Sequence, residues 1–166
     1  RKDIISSCPS LKIIGRGGVG MDNIDVEFAR QNGLEVINTP AASSQSVAEL
    51  VMGHLFSISR SIYDSNRNMP KAKNGEFKSL KKKYAKGAEL RGKTIGIIGF
   101  GRIGQFTAKY ALGNGMKVIA FDPFINEINI SLEIANQNIE VPITMCSMDN
   151  LLSESDYISL HVPMPK

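Results

Sequence analysis

The chain has 166 residues, 42% of them apolar and 22% charged, a balance typical of folded globular proteins that excludes disorder and fibres. No apolar stretch approaches the roughly 18–20 residues that span a bilayer, and no signal peptide opens the sequence, so no membrane association is expected. The net charge of +4 is unevenly spread: Lys71–Lys93 holds nine Lys or Arg residues against Glu76 and Glu89, which leaves the remainder at −3.

A nucleic-acid face would carry such charge on an ordered surface with aromatic partners. The 71–93 run reads instead as a solvated connection between two ordered parts, with some lysines able to attract phosphate. No nucleic-acid partner is expected. Cys8 and Cys146 stand far apart, without metal-ligand spacing, and read as two reduced thiols of a cytoplasmic protein.

Strand-like and helix-like segments alternate along the chain. Residues 11–15 form a short apolar run ending in glycine, the pattern of a buried parallel strand. A helix over 25–32 follows, stopped by Gly33, and then a strand over 34–38 that Thr39 and Pro40 end. From Ser46 to about Tyr63, Val47, Leu50, Val51, Leu55, Ile58 and Ile62 recur at helical spacing. Ser46 and Glu49 have the spacing of a capping box at the start of this helix, which bridges two domains. His54 falls among its apolar positions, as a packed or interfacial residue would.

Next come a strand at 93–99, a crossover helix from Arg102 to about Asn114, and a strand at 116–121. An Ile- and Asn-rich helix is expected over 127–136 and a short strand near 141–144. A brief helix around 149–153 leads to a last strand at 156–162. Strands separated by helices predict an α/β fold with a doubly wound parallel sheet.

Two glycine motifs share one spacing, Gly15-Arg-Gly17-Gly-Val-Gly20 and Gly99-Phe-Gly101-Arg-Ile-Gly104, and each follows an apolar strand. Eighteen residues beyond the last glycine stand Asn38 in the first unit and Asp122 in the second. In a dinucleotide site the glycines let backbone approach a pyrophosphate that rests on a helix N-terminus. An acid at the end of the next strand then accepts hydrogen bonds from the ribose hydroxyls and repels a 2′-phosphate. Asp122 has the charge for this and Asn38 does not. The second motif also runs straight into a helix, whereas Met21–Asp25 delays the helix after the first. Pro123 and Phe124 supply no cation for a 2′-phosphate, so the cofactor reads as NAD.

With those residues, the chain resembles the D-2-hydroxyacid dehydrogenases, and among them the phosphoglycerate-oxidising ones. The likeness is carried by residues 15–25, by Asn38-Thr-Pro40 with Ser46-Val-Ala-Glu-Leu50, by residues 90–104, and by His161-Val-Pro163. Enzymes of this kind have two similar α/β domains with the active site between them. The resemblance implies that residues 1–45 end a flavodoxin-like substrate domain. Residues 46–166 then hold the bridging helix and the first, ADP-binding half of a Rossmann-type NAD domain.

It further implies that Gly99, Gly101, Gly104 and the backbone of Arg102 and Ile103 meet the pyrophosphate, and that Asp122 meets the ribose. His161, Val162 and Pro163 would lie near the adenosine. Arg16, Gly17, Gly18 and Asn38 would face the substrate, and Val19 could touch the cofactor only through its backbone. Arg16, beside a glycine loop at a strand end, suits a phosphate or carboxylate.

The activity implied is NAD-dependent oxidation of 3-phospho-D-glycerate to 3-phosphohydroxypyruvate, a step in making serine. Alternatives are another D-2-hydroxy acid of lactate or glyoxylate type, or a non-catalytic NAD-sensing module. In such enzymes the catalytic His, its acid partner and the carboxylate-binding Arg lie downstream of Lys166. The chain thus reads as a fragment that binds NAD without turning over substrate, from a protein that pairs as a homodimer through its nucleotide domain.

Overall fold

The computed structural model describes residues 2–163. By backbone contacts the chain divides into two compact units, Arg1–Ser44 and Gln45–Lys166.

The first unit contains α1 (Lys2–Ser6), β1 (Ile13–Arg16), α2 (Val26–Gln31) and β2 (Glu35–Asn38). β1 and β2 pair in parallel, with Gly15 opposite Ile37 and Arg16 opposite Asn38. Asp25 caps α2 by accepting the Phe28 amide at 3.1 Å, satisfying one of the helix's unpaired donors. Gly33, at φ +77°, turns the chain out of the helix as expected. Ile5, Ala29 and Val36 form the buried centre, flanked by Ile14, Met21, Ile24, Val26, Phe28 and Leu34. Ile13 and Ile37, on the opposite face of the pair, stay about half exposed at 49% and 48%.

The second unit begins with α3 (Ser44–Ser59), α4 (Ile62–Asn68), a 3₁₀ turn (Met69–Lys71) and α5 (Phe77–Tyr84). It continues with β3 (Thr94–Ile98), α6 (Arg102–Gly113), β4 (Lys117–Phe121), β5 (Asn129–Ile134), β6 (Gln137–Pro142), β7 (Thr144–Met145), α7 (Met148–Glu154) and β8 (Tyr157–Leu160). Four strands form a parallel sheet in the order β7-β4-β3-β8, the order of the first half of a doubly wound nucleotide fold. Ile95, Ile97, Val118 and Ala120 pack one face against Phe100, Ala108 and Ala111 around α6. Ile98 and Ile119 turn to the other face and bury Leu151 of α7. Burying residues on both faces is why these strands read as unbroken apolar runs.

Several expectations change. The helix expected over 127–136 is instead the antiparallel hairpin β5–β6, a separate two-stranded sheet. Ile128, Ile130, Leu132 and Ile134 alternate with polar residues, the period of a strand. Ala135 and Asn136, at φ +48° and +64°, make the two-residue turn whose twist suits a hairpin. The strand near 141–144 is accordingly divided, with Val141 and Pro142 closing β6 and Thr144–Met145 forming β7 beside β4.

The bridging helix starts at Ser44, so Ser46 lies inside its first turn rather than ahead of it. Glu49 instead accepts from Gln45 Nε2 at 3.1 Å and from the Tyr110 hydroxyl at 3.2 Å. The helix stops at Ser59, whose carbonyl accepts the Ala88 amide at 2.8 Å, and Ser61 turns left-handed at φ +51° before α4.

The basic connection carries α5, and α5 is stapled to α4. Lys83 pairs with Asp64 at 2.7 Å, and the Tyr84 hydroxyl donates to the same carboxylate at 2.8 Å. Lys83 and Tyr84 hold the Asp64 carboxyl below its ordinary range, Lys83 having the larger effect. His54 is exposed rather than packed, as are Leu50 and Ile58 on the same face of α3.

Both cysteines are free thiols. Among the described residues no helix is long and apolar enough to cross a membrane.

Candidate functional site

The carboxyl ends of β3, β4 and β8 meet at the second glycine motif. Gly99 leaves β3 at φ +87°, a conformation that L side chains rarely adopt. A Cβ there would lie 2.7 Å from the His161 carbonyl oxygen and 2.8 Å from Val162. The turn is therefore packed directly under the segment that follows β8.

Gly104, on the first turn of α6, is held as closely. Its Cβ would stand 2.5 Å from the Gly99 carbonyl oxygen, so only glycine lets helix and strand approach this far. At Gly101 a Cβ would meet nothing within 4 Å. The outer side of the loop is thus open space. Gly101 is also the N-cap of α6, and no side chain caps the helix. The first amides of α6, those of Arg102 and Ile103, face that opening with the positive end of the helix dipole.

Asp122, just past β4, fixes the loop from its other side. Its Oδ2 accepts the Phe100 amide at 2.8 Å and its Oδ1 accepts the Phe124 amide at 2.9 Å. Each carboxylate oxygen has a second lone pair, so acceptor capacity remains for a ligand hydroxyl. Arg102 and Pro163 are exposed, and Asp122, Ile103 and His161 are half-buried.

Sequence reasoning missed two supporting residues. Thr107 is fully buried in α6, donates to the Ile103 carbonyl at 2.9 Å, and lies 3.3 Å from His161 Nε2. Ser159 on β8 reaches the same nitrogen at 3.0 Å. Burial pushes the His161 imidazole pKa below its usual value. Nothing in the sequence marked either residue, since only the fold brings β8 beside α6.

The glycine loop of the first unit is built differently. The Gly18 amide donates to Thr39 Oγ1 at 2.7 Å, and Asn38 Nδ2 donates to the Val19 carbonyl at 2.8 Å. Side chains after β2 therefore already occupy the loop's backbone groups. Arg16 folds over the loop and donates through Nη1 to the Gly17 carbonyl. Its Nε is buried without a hydrogen-bond partner among the described residues. Arg16, Gly17, Gly18, Val19 and Asn38 thus gather within one unit, at the carboxyl ends of β1 and β2.

NAD fits the second loop on its own geometry: glycines where backbone must turn and pack, an open side, an uncapped helix N-terminus and a ribose-competent acid. The family model for the NAD-binding domain of D-isomer specific 2-hydroxyacid dehydrogenases matches residues 52–166. The chain belongs to this family.

Relatives agree. The chain is 46% identical over 162 residues to a hydroxypyruvate reductase of Thermotoga maritima, covering 98% of this chain and 47% of the relative. It is 43% identical over 164 residues to a D-3-phosphoglycerate dehydrogenase of Methanocaldococcus jannaschii, covering 98% and 29%. The chain thus spans less than half the length of these two relatives. The holo form of Rhodotorula graminis D-mandelate dehydrogenase superposes with a TM-score of 0.82 at 26% identity, covering 100% of this chain and 47% of that one.

Proposed function

We propose that residues 46–166 are the ADP-binding half of an NAD domain, and residues 1–45 the end of a substrate domain, in an enzyme that oxidises 3-phospho-D-glycerate. The observation that carries the cofactor half is Asp122 beside the open N-terminus of α6. NAD held there would supply the hydride acceptor for C2 of the hydroxy acid.

The residues of this chain bind and orient. The amides of Arg102 and Ile103 receive the pyrophosphate, Asp122 receives the ribose hydroxyls, and His161, Val162 and Pro163 wall the adenosine. Gly99, Gly101 and Gly104 let the backbone come close enough. In the other unit the substrate meets Arg16, Gly17, Gly18 and Asn38, and Val19 has only backbone groups to offer a ligand, its carbonyl already accepting one bond from Asn38. The proton-transferring His, its acid and the carboxylate-binding Arg come from beyond Lys166.

In this reading Arg16 is the cation that holds the substrate's phosphate: a guanidinium beside a glycine loop at a strand end suits a phosphate or a carboxylate. A second reading, reduction of unphosphorylated hydroxypyruvate, is favoured by the Thermotoga maritima relative. Comparing kcat/KM of the complete enzyme on 3-phosphoglycerate, hydroxypyruvate and D-lactate separates them. The phosphorylated acid is expected to lead by about a hundredfold, the value of one bidentate arginine contact. Equal or better use of the unphosphorylated acids overturns the reading.

The protein is proposed to be cytoplasmic and to pair as a homodimer through its nucleotide unit, where α3 exposes Leu50 and Ile58. Sedimentation velocity checks the pairing.

A further inference from the structure

The His161 ring touches both α6 and β8 at the cofactor turn. Its Nε2 lies 3.3 Å from Thr107 Oγ1 and 3.0 Å from Ser159 Oγ. Thr107 also donates to the Ile103 carbonyl at 2.9 Å, so Nε2 is the ring nitrogen that ties both hydroxyls together. The chain Ile103–Thr107–His161–Ser159 runs from the first turn of α6 to the last residues of β8. At its far end the His161 amide donates to the Ile98 carbonyl at 2.8 Å. The His161 carbonyl and Val162 cover Gly99 so tightly that a Cβ there would overlap them.

Among the described residues no charged group is hydrogen-bonded to the ring. The charged and titratable ones on the surrounding elements are Arg102, Lys109 and Tyr110 of α6, Tyr157 of β8, Asp156 before it and Asp122 after β4. Asp122 is engaged by two backbone amides and Asp156 by Lys93 and Thr94. Burial alone disfavours the imidazolium. A cationic ring is better solvated in water than in this half-buried place, and a ring that turns out to water lets go of both hydroxyls.

We propose that His161 is a positioning residue for the cofactor. Its neutral ring, held by Thr107 and Ser159, fixes the first turn of α6 so that the Arg102 and Ile103 amides stay aimed at the pyrophosphate. Protonation releases that turn, so NAD binding weakens in acid. The inference rests on the cofactor site proposed at Gly99–Gly104.

The test is calorimetric titration of NAD between pH 5 and pH 8 on the parent protein, His161→Ala, His161→Gln and Thr107→Val. Gln offers an N–H at the reach of Nε2 but does not titrate. The parent is expected to lose about fivefold to tenfold in affinity as pH falls below the ordinary histidine range, the value of one positioning hydrogen bond. His161→Ala is expected to show that loss at pH 8, and His161→Gln to recover most of it with a flat pH profile. Thr107→Val, which keeps the volume and removes the hydroxyl, is expected to be weakened like Ala.

In the parent, the ring C–H resonances of His161 should titrate below the ordinary histidine range, and lower still with NAD bound, since linkage is reciprocal. This readout needs no variant. Tighter binding in acid would make the ring a direct electrostatic contact and overturn the proposal. So would an unchanged pH profile in His161→Gln. A parent that binds no NAD at any pH overturns the site reading itself, and this inference with it.

Discussion

The two glycine loops share a spacing and a position after a parallel strand, yet they are built for opposite ends. At Gly99–Gly104 the loop's inner side is packed to contact while its outer side and helix N-terminus stay open. At Gly15–Gly20 the outer groups are already bonded, to Asn38, Thr39 and Arg16, and α2 starts only at Val26. The pair teaches that the spacing specifies a tight strand-to-loop turn. What the turn binds is decided by the residue ending the next strand and by how soon a helix begins.

The third glycines give the largest expected contrast. Alanine at Gly104 puts a Cβ against the backbone carbonyl of Gly99, which cannot yield without shifting α6. Gly104→Ala is expected to lower unfolding stability by about 1–3 kcal/mol in denaturant titration. Alanine at Gly20 meets only the Asp22 carboxylate at 3.0 Å, the end of a flexible side chain. Gly20→Ala should stay within about 0.5 kcal/mol. Equal costs at the two positions would erase the difference in packing claimed here.

A smaller effect sharpens the β5–β6 hairpin, which belongs to the second unit alone. Ala135 sits at φ +48°, where glycine pays no steric penalty. Ala135→Gly is expected to raise stability by about 0.5–1 kcal/mol, read as a shift of the denaturation midpoint. A loss instead would mean that the turn is not of the positive-φ kind.

The smallest effect is electrostatic. The Asp64 carboxyl is held below its ordinary value by Lys83 first and Tyr84 second, and the pair is exposed. A depressed carboxyl contributes stability above its unfolded value of 3.8, and this is lost as pH falls through the lower folded value. Asp64→Asn should therefore change stability slightly at neutral pH, and not at all below that window or in roughly 1 M salt. A difference that persists in acid points to the Asn68 and Tyr84 hydrogen bonds instead.

Much of this was readable from the residues. The parallel strands announced themselves because burial on both faces leaves uninterrupted runs such as Ile95–Ile98. Asp122 was legible because it is an acid at the strand-end position where the first unit has Asn38, and the structure shows it fixing the second loop through the Phe100 amide. The hairpin was not, since isoleucines mixed with asparagines invite a reading by composition. Their period of two, together with the Ala135–Asn136 turn, settles the matter only once α6 is seen to bury Ile130. The end of α3 was equally hidden, because it is fixed by the Ala88 amide, nearly thirty residues downstream. Thr107 looked like an ordinary helix residue until the fold brought β8 beside it.

The central claim is that Asp122, beside the second loop, carries recognition of the cofactor and that Asn38, its counterpart beside the first, does not. NAD titration of the parent protein, Asp122→Asn and Asn38→Ala tests it most directly. Asp122→Asn keeps the shape, and acceptance of the Phe100 amide, but loses the charge. It is expected to weaken NAD about 10–100-fold, the value of hydrogen bonds to a charged acceptor. Asn38→Ala is expected to leave the affinity within about twofold of the parent. Unchanged affinity in Asp122→Asn, or an equal loss in Asn38→Ala, would contradict the account.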